Sequence, residues 1–200
     1  MKHSLVTLAL LLTLQLAFAQ EKLSREEALT YARAATATTN QPGVAPIFTD
    51  VDPQQPVAIR DDEYSALVLP QKDLNAESIS KAGETLVPVG QLWLRNLAPM
   101  NDDHAIASDK LRVVAVSLEG NKVNLPQCAL AIRRRSAGSL ELLVFGKGKE
   151  PVVVVPLRKI DTTQDLPIDM AARREDESGR ITMKILGKYE ASFKVSELLL

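Results

Sequence analysis

The sequence has few of the residues that mark specialised protein classes. Its 200 residues include one cysteine and two histidines, and aromatic residues make up 4% of the chain. A single cysteine excludes an intramolecular disulfide, so stability must come from packing. The 24 basic side chains nearly balance the 25 acidic ones, which gives a formal net charge of -1. General nucleic-acid binders attract phosphate with a strongly basic field, so we expect no nucleic-acid partner.

Long apolar runs are absent after the first 19 residues. Lys2 and His3 precede a leucine-rich run that ends in Ala17-Phe18-Ala19. The run is shorter than the roughly 20 residues that span a bilayer, and small residues stand three and one positions before Gln20, as signal peptidase requires. We therefore predict a bacterial signal peptide over 1–19 and a periplasmic or secreted protein with no membrane span after cleavage. The alternative is that the segment stays as an uncleaved anchor.

Residues 20–57 predict a short helix followed by a proline-rich linker. Ser24 and Glu27 form the S-x-x-E pattern of a capping box, and apolar residues at helical spacing extend the helix from Leu23 to about Thr36. The stretch from Gln41 to Pro56 contains four prolines. Prolines favour extended backbone, so this stretch is interpreted as a linker or a wrapping arm.

Residues 58–200 predict an all-β domain. Short β-branched runs with a period of two are separated by turn residues, which is typical of an antiparallel β-sandwich, here with about eight or nine strands. The predicted strands cover 64–69, 91–96, 111–118, 128–134, 140–145, 152–157, 166–173, 180–186 and 189–195. A short helix is predicted within Asp73–Ala82. Prolines bracket the run from Val152 to Val155, which we place at a sheet margin.

The final hairpin has a register that side-chain alternation predicts. Apolar and polar residues alternate on both arms, from Ile181 and from Tyr189 onward. A two-residue turn would pair Leu186 with Tyr189 and mix the two faces, whereas pairing Ile185 with Tyr189 keeps the apolar side chains together. We therefore predict a three-residue loop, 186–188.

A second hairpin is predicted over Arg112–Leu125. Gly120-Asn121 supplies residues that tolerate positive φ between two apolar stretches. The second arm of this hairpin is expected to be short.

The candidate chemical groups are few. The cluster Asn101-Asp102-Asp103-His104 offers potential metal ligands, but the calcium-loop spacing is absent and adjacent acids in a loop are more often solvated turn formers. We therefore predict no metal and no cofactor, and keep Asp102, Asp103 and His104 as candidate binding residues. Cys128 lies on an alternating strand and is expected in the core.

Three consecutive arginines, Arg133-Arg134-Arg135, have two interpretations. They could grip an anionic partner, because guanidinium groups bind carboxylates and phosphates in a forked geometry. The alternative is a purely structural role, in which solvated arginines at a hairpin end are neutralised by the acidic stretch Glu175-Asp176-Glu177. We favour the second interpretation.

Two short motifs stand in the middle and at the end of the β region. Residues 87–93 carry the pattern V-P-x-G-x-x-W, and 187–193 read G-K-Y-E-A-S-F. Together they resemble a family of small exported bacterial β proteins that is classed as a domain of unknown function, and the resemblance implies no activity. Alternation places Gln91, Trp93 and Arg95 on one strand face, so Trp93 is either exposed or caps one end of the core. Trp93 and Arg95 join the candidate binding residues.

Three functional hypotheses follow. The first is a non-catalytic exported domain that acts through protein contacts in the cell envelope, with its helix and arm available to dock an envelope protein. The second is a carboxylate-based hydrolase, which would need a cleft with two carboxyls about 5 to 9.5 Å apart, one of them desolvated. The third is a small-ligand binding module, which would show an apolar pocket of a few hundred Å³ between the sheets.

The predicted leader can be tested on the exported protein. Expressed in an export-competent bacterium, the chain is expected to begin at Gln20, because Ala17 and Ala19 fit the peptidase pocket. Mass spectrometry of the intact protein measures this. Replacing Ala19 by arginine should block processing, and a purified protein that still carries its first 19 residues would contradict the prediction.

Overall fold

A computed structural model describes residues 20–38, 47–83, 85–118 and 120–198 as two packed antiparallel sheets with little helix. The predicted all-β sandwich is therefore confirmed. The predicted leader and residues 39–46 of the proline-rich stretch lie outside the described residues.

The described residues form strands of 2 to 14 residues and two short helices. In chain order, the strands are β1 (Glu21–Lys22), β2 (Val57–Asp61), β3 (Tyr64–Pro70), β4 (Val87–Arg95), β5 (Leu97–Asn101), β6 (His104–Ala105), β7 (Arg112–Leu118), β8 (Asn121–Arg134), β9 (Leu140–Phe145), β10 (Pro151–Pro156), β11 (Arg158–Lys159), β12 (Ile168–Glu175), β13 (Ser178–Ile185) and β14 (Tyr189–Glu197). The helices are α1 (Arg25–Thr38) and α2 (Ala76–Ser80), and Ser108–Lys110 forms a 3-10 turn. Within this part of the chain, no helix has the length and apolar character needed to cross a bilayer.

The strands are divided between two sheets. The first sheet has the order β1-β2-β3-β4-β8-β9-β10, with β7 also paired to β8. The second has the order β12-β13-β14-β5-β6, with β11 also paired to β14. Each predicted strand is present, and β10 lies at a sheet edge as predicted. The prediction missed β2 and β5, since β2 ends in Arg60-Asp61 and β5 contains Pro99, and neither shows a regular alternation. It also missed the two-residue strands β1, β6 and β11.

The register of the β13–β14 hairpin confirms the argument from alternation. Ile185 pairs with Tyr189, and Ile181 pairs with Phe193. Leu186 and Gly187 both have positive φ, at 56° and 64°, which closes the loop without shifting the pairing.

The expectation for the second hairpin is partly wrong. Gly120 does have positive φ, at 83°, but Asn121 already belongs to β8. The second arm is also not short, because β8 runs for 14 residues. Its first half pairs with β7 and its second half with β4 and β9, so one strand serves both the hairpin and the sheet.

The main core fills the space between the two sheets. Leu92 and Leu94 of β4 meet Ile181 and Phe193 of the second sheet's hairpin in one buried cluster. The predicted burial of Cys128 in this core is confirmed. Alternation along each strand sends apolar side chains inward, as the sandwich requires.

A second core lies on the outer face of the first sheet, beneath α1. The predicted capping box is present, since the Ser24 backbone N–H donates to Glu27 Oε2 at 3.1 Å and the Glu27 N–H donates to Ser24 Oγ at 3.3 Å. The helix presents Ala28, Ala32 and Ala35 to this sheet face. These small side chains let the helix pack closely on this part of the sheet.

Gly187 provides a test of the hairpin loop. A Cβ atom at this position would lie 2.0 Å from the Thr162 carbonyl oxygen, and φ is +64°. Gly187→Ala is therefore expected to lower the free energy of unfolding by about 2 to 4 kcal/mol, measured by urea denaturation. Gly148→Ala is the control, because a Cβ there meets nothing within 4 Å. Equal stabilities for the two variants would refute this account of the loop.

Candidate binding site

The five candidate residues from the sequence do not converge on one site. Trp93 is 1% exposed and packs in the second core beneath α1, so it caps a core, whereas Arg95 on the same strand is exposed. Asp102, Asp103 and His104 lie on the exposed turn between β5 and β6. That turn belongs to the second sheet, so the two groups are on different sheets.

The acidic turn contains an ion pair rather than a metal cluster. Asp103 Oδ1 lies 2.6 Å from Lys194 Nζ, and this hydrogen bond lowers the pKa of the Asp103 carboxyl below its ordinary value. Throughout the described ranges, no group of three or more His, Cys, Asp or Glu side chains could hold a metal ion. Asp102, Asp103 and His104 therefore do not form a cluster of three side chains that could hold a metal ion.

Cys128 sits too deep to serve as a nucleophile. It has no exposed surface, and burial raises the pKa of its thiol to about 12. A thiol with this pKa carries almost no thiolate at neutral pH, and the thiolate is the reactive form. Cys128 is therefore a packing residue.

The arginine cluster is neutralised within the fold, but by a different acid from the one predicted. Glu141, which is opposite Arg133 in the β8–β9 register, lies 2.9 Å from Arg133 and 3.2 Å from Arg135. Arg134 instead donates to the carbonyl oxygen of Ala82 at 2.8 Å. The pairing of β8 with β9 decides which acid faces Arg133. The sequence had not established that register, so the prediction named the wrong acid.

A cavity of about 320 Å³ opens between the two sheets at one end of the sandwich. The β2–β3 hairpin forms the wall from the first sheet. The β12–β13 turn and the last residues of β14 form the wall from the second sheet, and Gln20 lies beside β1 at the rim. Strand ends and turns surround the opening, so the cavity faces solvent at one side.

The lining separates an apolar interior from a charged mouth. The apolar residues of the lining are Ile59, Ala66, Leu97, Ala172, Ile181 and Val195. The charged residues of the lining are Arg60, Asp61, Arg174, Asp176, Glu177 and Glu197. Eleven of the 18 lining residues are polar or charged. The lining is therefore more polar than that of most small-molecule sites, which are mainly apolar.

Tyr64 joins the two regions of the lining. Its half-buried ring stands at the start of β3, and burial, followed by the nearby carboxylates of Glu197 and Glu63, raises the pKa of its hydroxyl above the ordinary value. The phenol is therefore uncharged at physiological pH. Tyr64 and Glu197 thus place an aromatic ring beside a carboxylate at the mouth.

The β12–β13 turn at the mouth is fixed by Glu175. Its Oε1 accepts hydrogen bonds from Arg173 Nε and Arg180 Nε, each at 2.8 Å. These bonds, that from Arg180 above all, lower the pKa of the Glu175 carboxyl. The next residue, Asp176, has a positive φ of 47° and leads into Glu177. The ion pairs therefore hold the two acids of the turn at the cavity mouth.

The walls also contain two polar atoms whose hydrogen-bonding capacity is unused. Gln20 Oε1 and Ser196 Oγ are both buried and have no hydrogen-bond partner within the part of the chain that the structure describes. Both residues line the cavity. Such atoms are uncommon in folded proteins because each costs about 1 to 3 kcal/mol. Four further atoms of this kind lie outside the cavity, on Gln91, Trp93, Gln127 and Gln164, so the feature is not specific to the cavity.

Sequence reasoning named a pocket between the sheets as one alternative but did not identify its lining, because the lining residues come from distant segments. The only local signals were the acidic runs at 61–63 and 175–177, which are typical of ordinary turns. Their proximity depends on how the two sheets are laid over each other, which alternation within a strand does not specify.

Comparisons with models of protein families, with curated proteins and with solved structures found no match. The function is therefore inferred from the geometry of the cavity.

The Glu175 ion pairs predict a pH dependence of stability. Because the folded pKa of Glu175 is lowered, its stabilisation is present above the unfolded pKa of about 4.3 and is lost as pH falls through the folded pKa. Glu175→Gln should cost up to about 1 kcal/mol at pH 7 and have a smaller effect near pH 3. Urea denaturation at both values measures this.

The control for Glu175→Gln is Glu150→Gln, since Glu150 is exposed in the β9–β10 turn. An effect of Glu175→Gln that is as large at pH 3 as at pH 7 would show that the ion pairs are not its cause.

Proposed function

We propose that this protein is an exported, non-catalytic binding module that takes a small organic ligand into the cavity between its sheets. The observation that carries the proposal is the cavity itself, which combines about 320 Å³ of space, an apolar interior and a charged mouth. Small-molecule pockets in proteins hold about 300 to 1,000 Å³, so this one suits a ligand at the small end of the range.

The size of the cavity limits the expected affinity. A ligand with one ring and a short chain has about nine non-hydrogen atoms and gains at most about 1.5 kcal/mol per atom, usually much less. A dissociation constant from high micromolar to millimolar is expected for such a probe. A natural ligand that also bonds the charged mouth would bind more tightly.

Docking of an envelope protein through the helix and arm has less support. Ala28, Ala32 and Ala35 of α1 are buried against the protein's own sheet, and Ile47 is seated on Leu143 and Phe145 of that sheet. Part of the surface that would dock a partner is thus already in contact, whereas Phe48 in the arm is 84% exposed. We therefore rank the protein-contact hypothesis below ligand binding.

A hydrolase also has less support. The carboxyls with a shifted pKa in the described ranges are Glu27, Asp103 and Glu175, and all three are shifted downward. A general acid needs a carboxyl with a raised pKa. None of these three carboxyls suits that role, and we propose no catalytic step.

Export is part of the proposal, and the residues directly after the predicted cleavage point belong to the first sheet. Glu21 and Lys22 already pair with Arg60 and Ile59 of β2. Removal of 1–19 would therefore leave this strand intact. The resemblance of the V-P-x-G-x-x-W motif to exported β proteins points to the same compartment and stays a prediction.

The proposal is tested by filling the cavity. Ala172 lines the cavity, whereas its neighbour Ala171 is exposed on the opposite face of the same strand. Ala172→Phe is expected to weaken binding of 2-phenylethanol at least about tenfold, and Ala171→Phe should leave it unchanged. The exported protein is titrated with the probe, and amide chemical shifts of the cavity residues give the dissociation constant.

Circular dichroism of each variant verifies that it is folded. If the wild-type protein shows no chemical-shift change at the cavity, or if the two variants weaken binding equally, the cavity is not the binding site.

A further inference from the structure

We infer that the ligand of this cavity is an organic ammonium ion, a protonated amine attached to a small apolar body. This inference rests on the proposed function. It comes from the charge of the mouth, from which of those charges are already paired, and from the position of Tyr64 beside Glu197.

The mouth of the cavity has more negative than positive charge. Four carboxylates face two guanidinium groups among the lining residues. Cleavage before Gln20 would add one α-ammonium group at the rim, and the lining would still keep a net negative charge. Clefts lined by one sign of charge concentrate ligands of the opposite sign.

Of the two positive charges of the lining, that of Arg60 is already engaged. Arg60 lies 3.6 Å from Glu21 and 3.9 Å from Glu27, so two carboxylates outside the lining already compete for it. Arg174 is exposed at the rim. An anionic ligand would therefore depend on Arg174 while facing all four acids.

The carboxylates of the lining, unlike Arg60, have no ion-pair partner among the described residues. Among the described residues, no basic nitrogen lies within 4.0 Å of a carboxylate oxygen of Asp61, Asp176, Glu177 or Glu197. Their ionised oxygens are acceptors only. They offer charge-assisted hydrogen bonds to an ammonium group, which are about twice as strong as neutral ones.

Tyr64 and Glu197 supply the most specific part of the mouth. An ammonium group near a tyrosine ring is attracted to its face, by about 0.5 to 1 kcal/mol at an exposed site and more where water is excluded. The neighbouring carboxylate can accept a hydrogen bond from the same group. The apolar body of the ligand would then extend toward Ala66 and Ala172 in the interior.

Three probes that share one ring separate the alternatives. They are 2-phenylethylamine, 2-phenylethanol and 3-phenylpropanoate, titrated into the exported protein at pH 7 and low salt and followed by amide chemical shifts. The amine is expected to bind about tenfold more tightly than the alcohol, and the carboxylate more weakly than the alcohol. Added salt should reduce the difference between amine and alcohol.

Two variants test whether Glu197 causes the preference for the amine over the alcohol. Glu197→Gln is expected to remove most of the amine's advantage, because it should weaken binding of the amine far more than binding of 2-phenylethanol. Glu150→Gln removes the same formal charge at the opposite edge of the first sheet and should leave both affinities unchanged. Equal losses of amine affinity in the two variants would assign the effect to net charge and overturn the inference.

The outcomes distinguish this inference from the proposed function. If all three probes shift the cavity residues with similar affinity, the cavity binds ligands but does not select amines. If 3-phenylpropanoate binds more tightly than 2-phenylethylamine, the inference about amines is overturned, but the proposed binding function is not. If none of the probes shifts these residues, both the inference and the proposed function fail.

Discussion

The structure depends on the burial of the first sheet on both of its faces. Leu92 and Leu94 of β4 point into the sandwich, while Trp93 between them points outward. Since strand residues alternate between faces, a strand with large apolar residues at successive positions must be covered on both sides. The second sheet covers one face, and α1 covers part of the other. The N-terminal region is therefore part of the packed structure, and its attachment brings β1 and Gln20 to the rim of the cavity.

The cavity follows from the residues that meet at one corner of the sandwich. Twisted sheets packed face to face diverge toward their corners, and large side chains normally fill the gap. Here Ala66 of the first sheet faces a part of the second sheet that contributes Ala172 and Gly179. Three small residues cannot fill the space that leucines occupy elsewhere in the core. These small residues, beside the larger Ile59, Leu97 and Ile181, therefore leave part of this corner open.

The features that sequence predicted are those fixed by local rules. The register of the β13–β14 hairpin followed from alternation, the start of α1 from its capping box, and the edge position of β10 from its prolines. The features that sequence missed depend on contacts between distant segments. Glu141 could be assigned to Arg133 only once the β8–β9 register was known, and the docking of α1 depended on the outer face of a sheet that had not been placed. The candidate site fell in this second category, since its lining spans 20 to 197 in the chain.

The pairing of β1 with β2 has a consequence for any chain shortened at its N-terminus. Glu21 and Lys22 pair with Arg60 and Ile59, and these two partners also line the cavity. A chain that began after Lys22 would leave β2 as an open sheet edge, with backbone groups free to pair with another molecule. The short first strand therefore protects an edge of the sheet and supports one wall of the cavity.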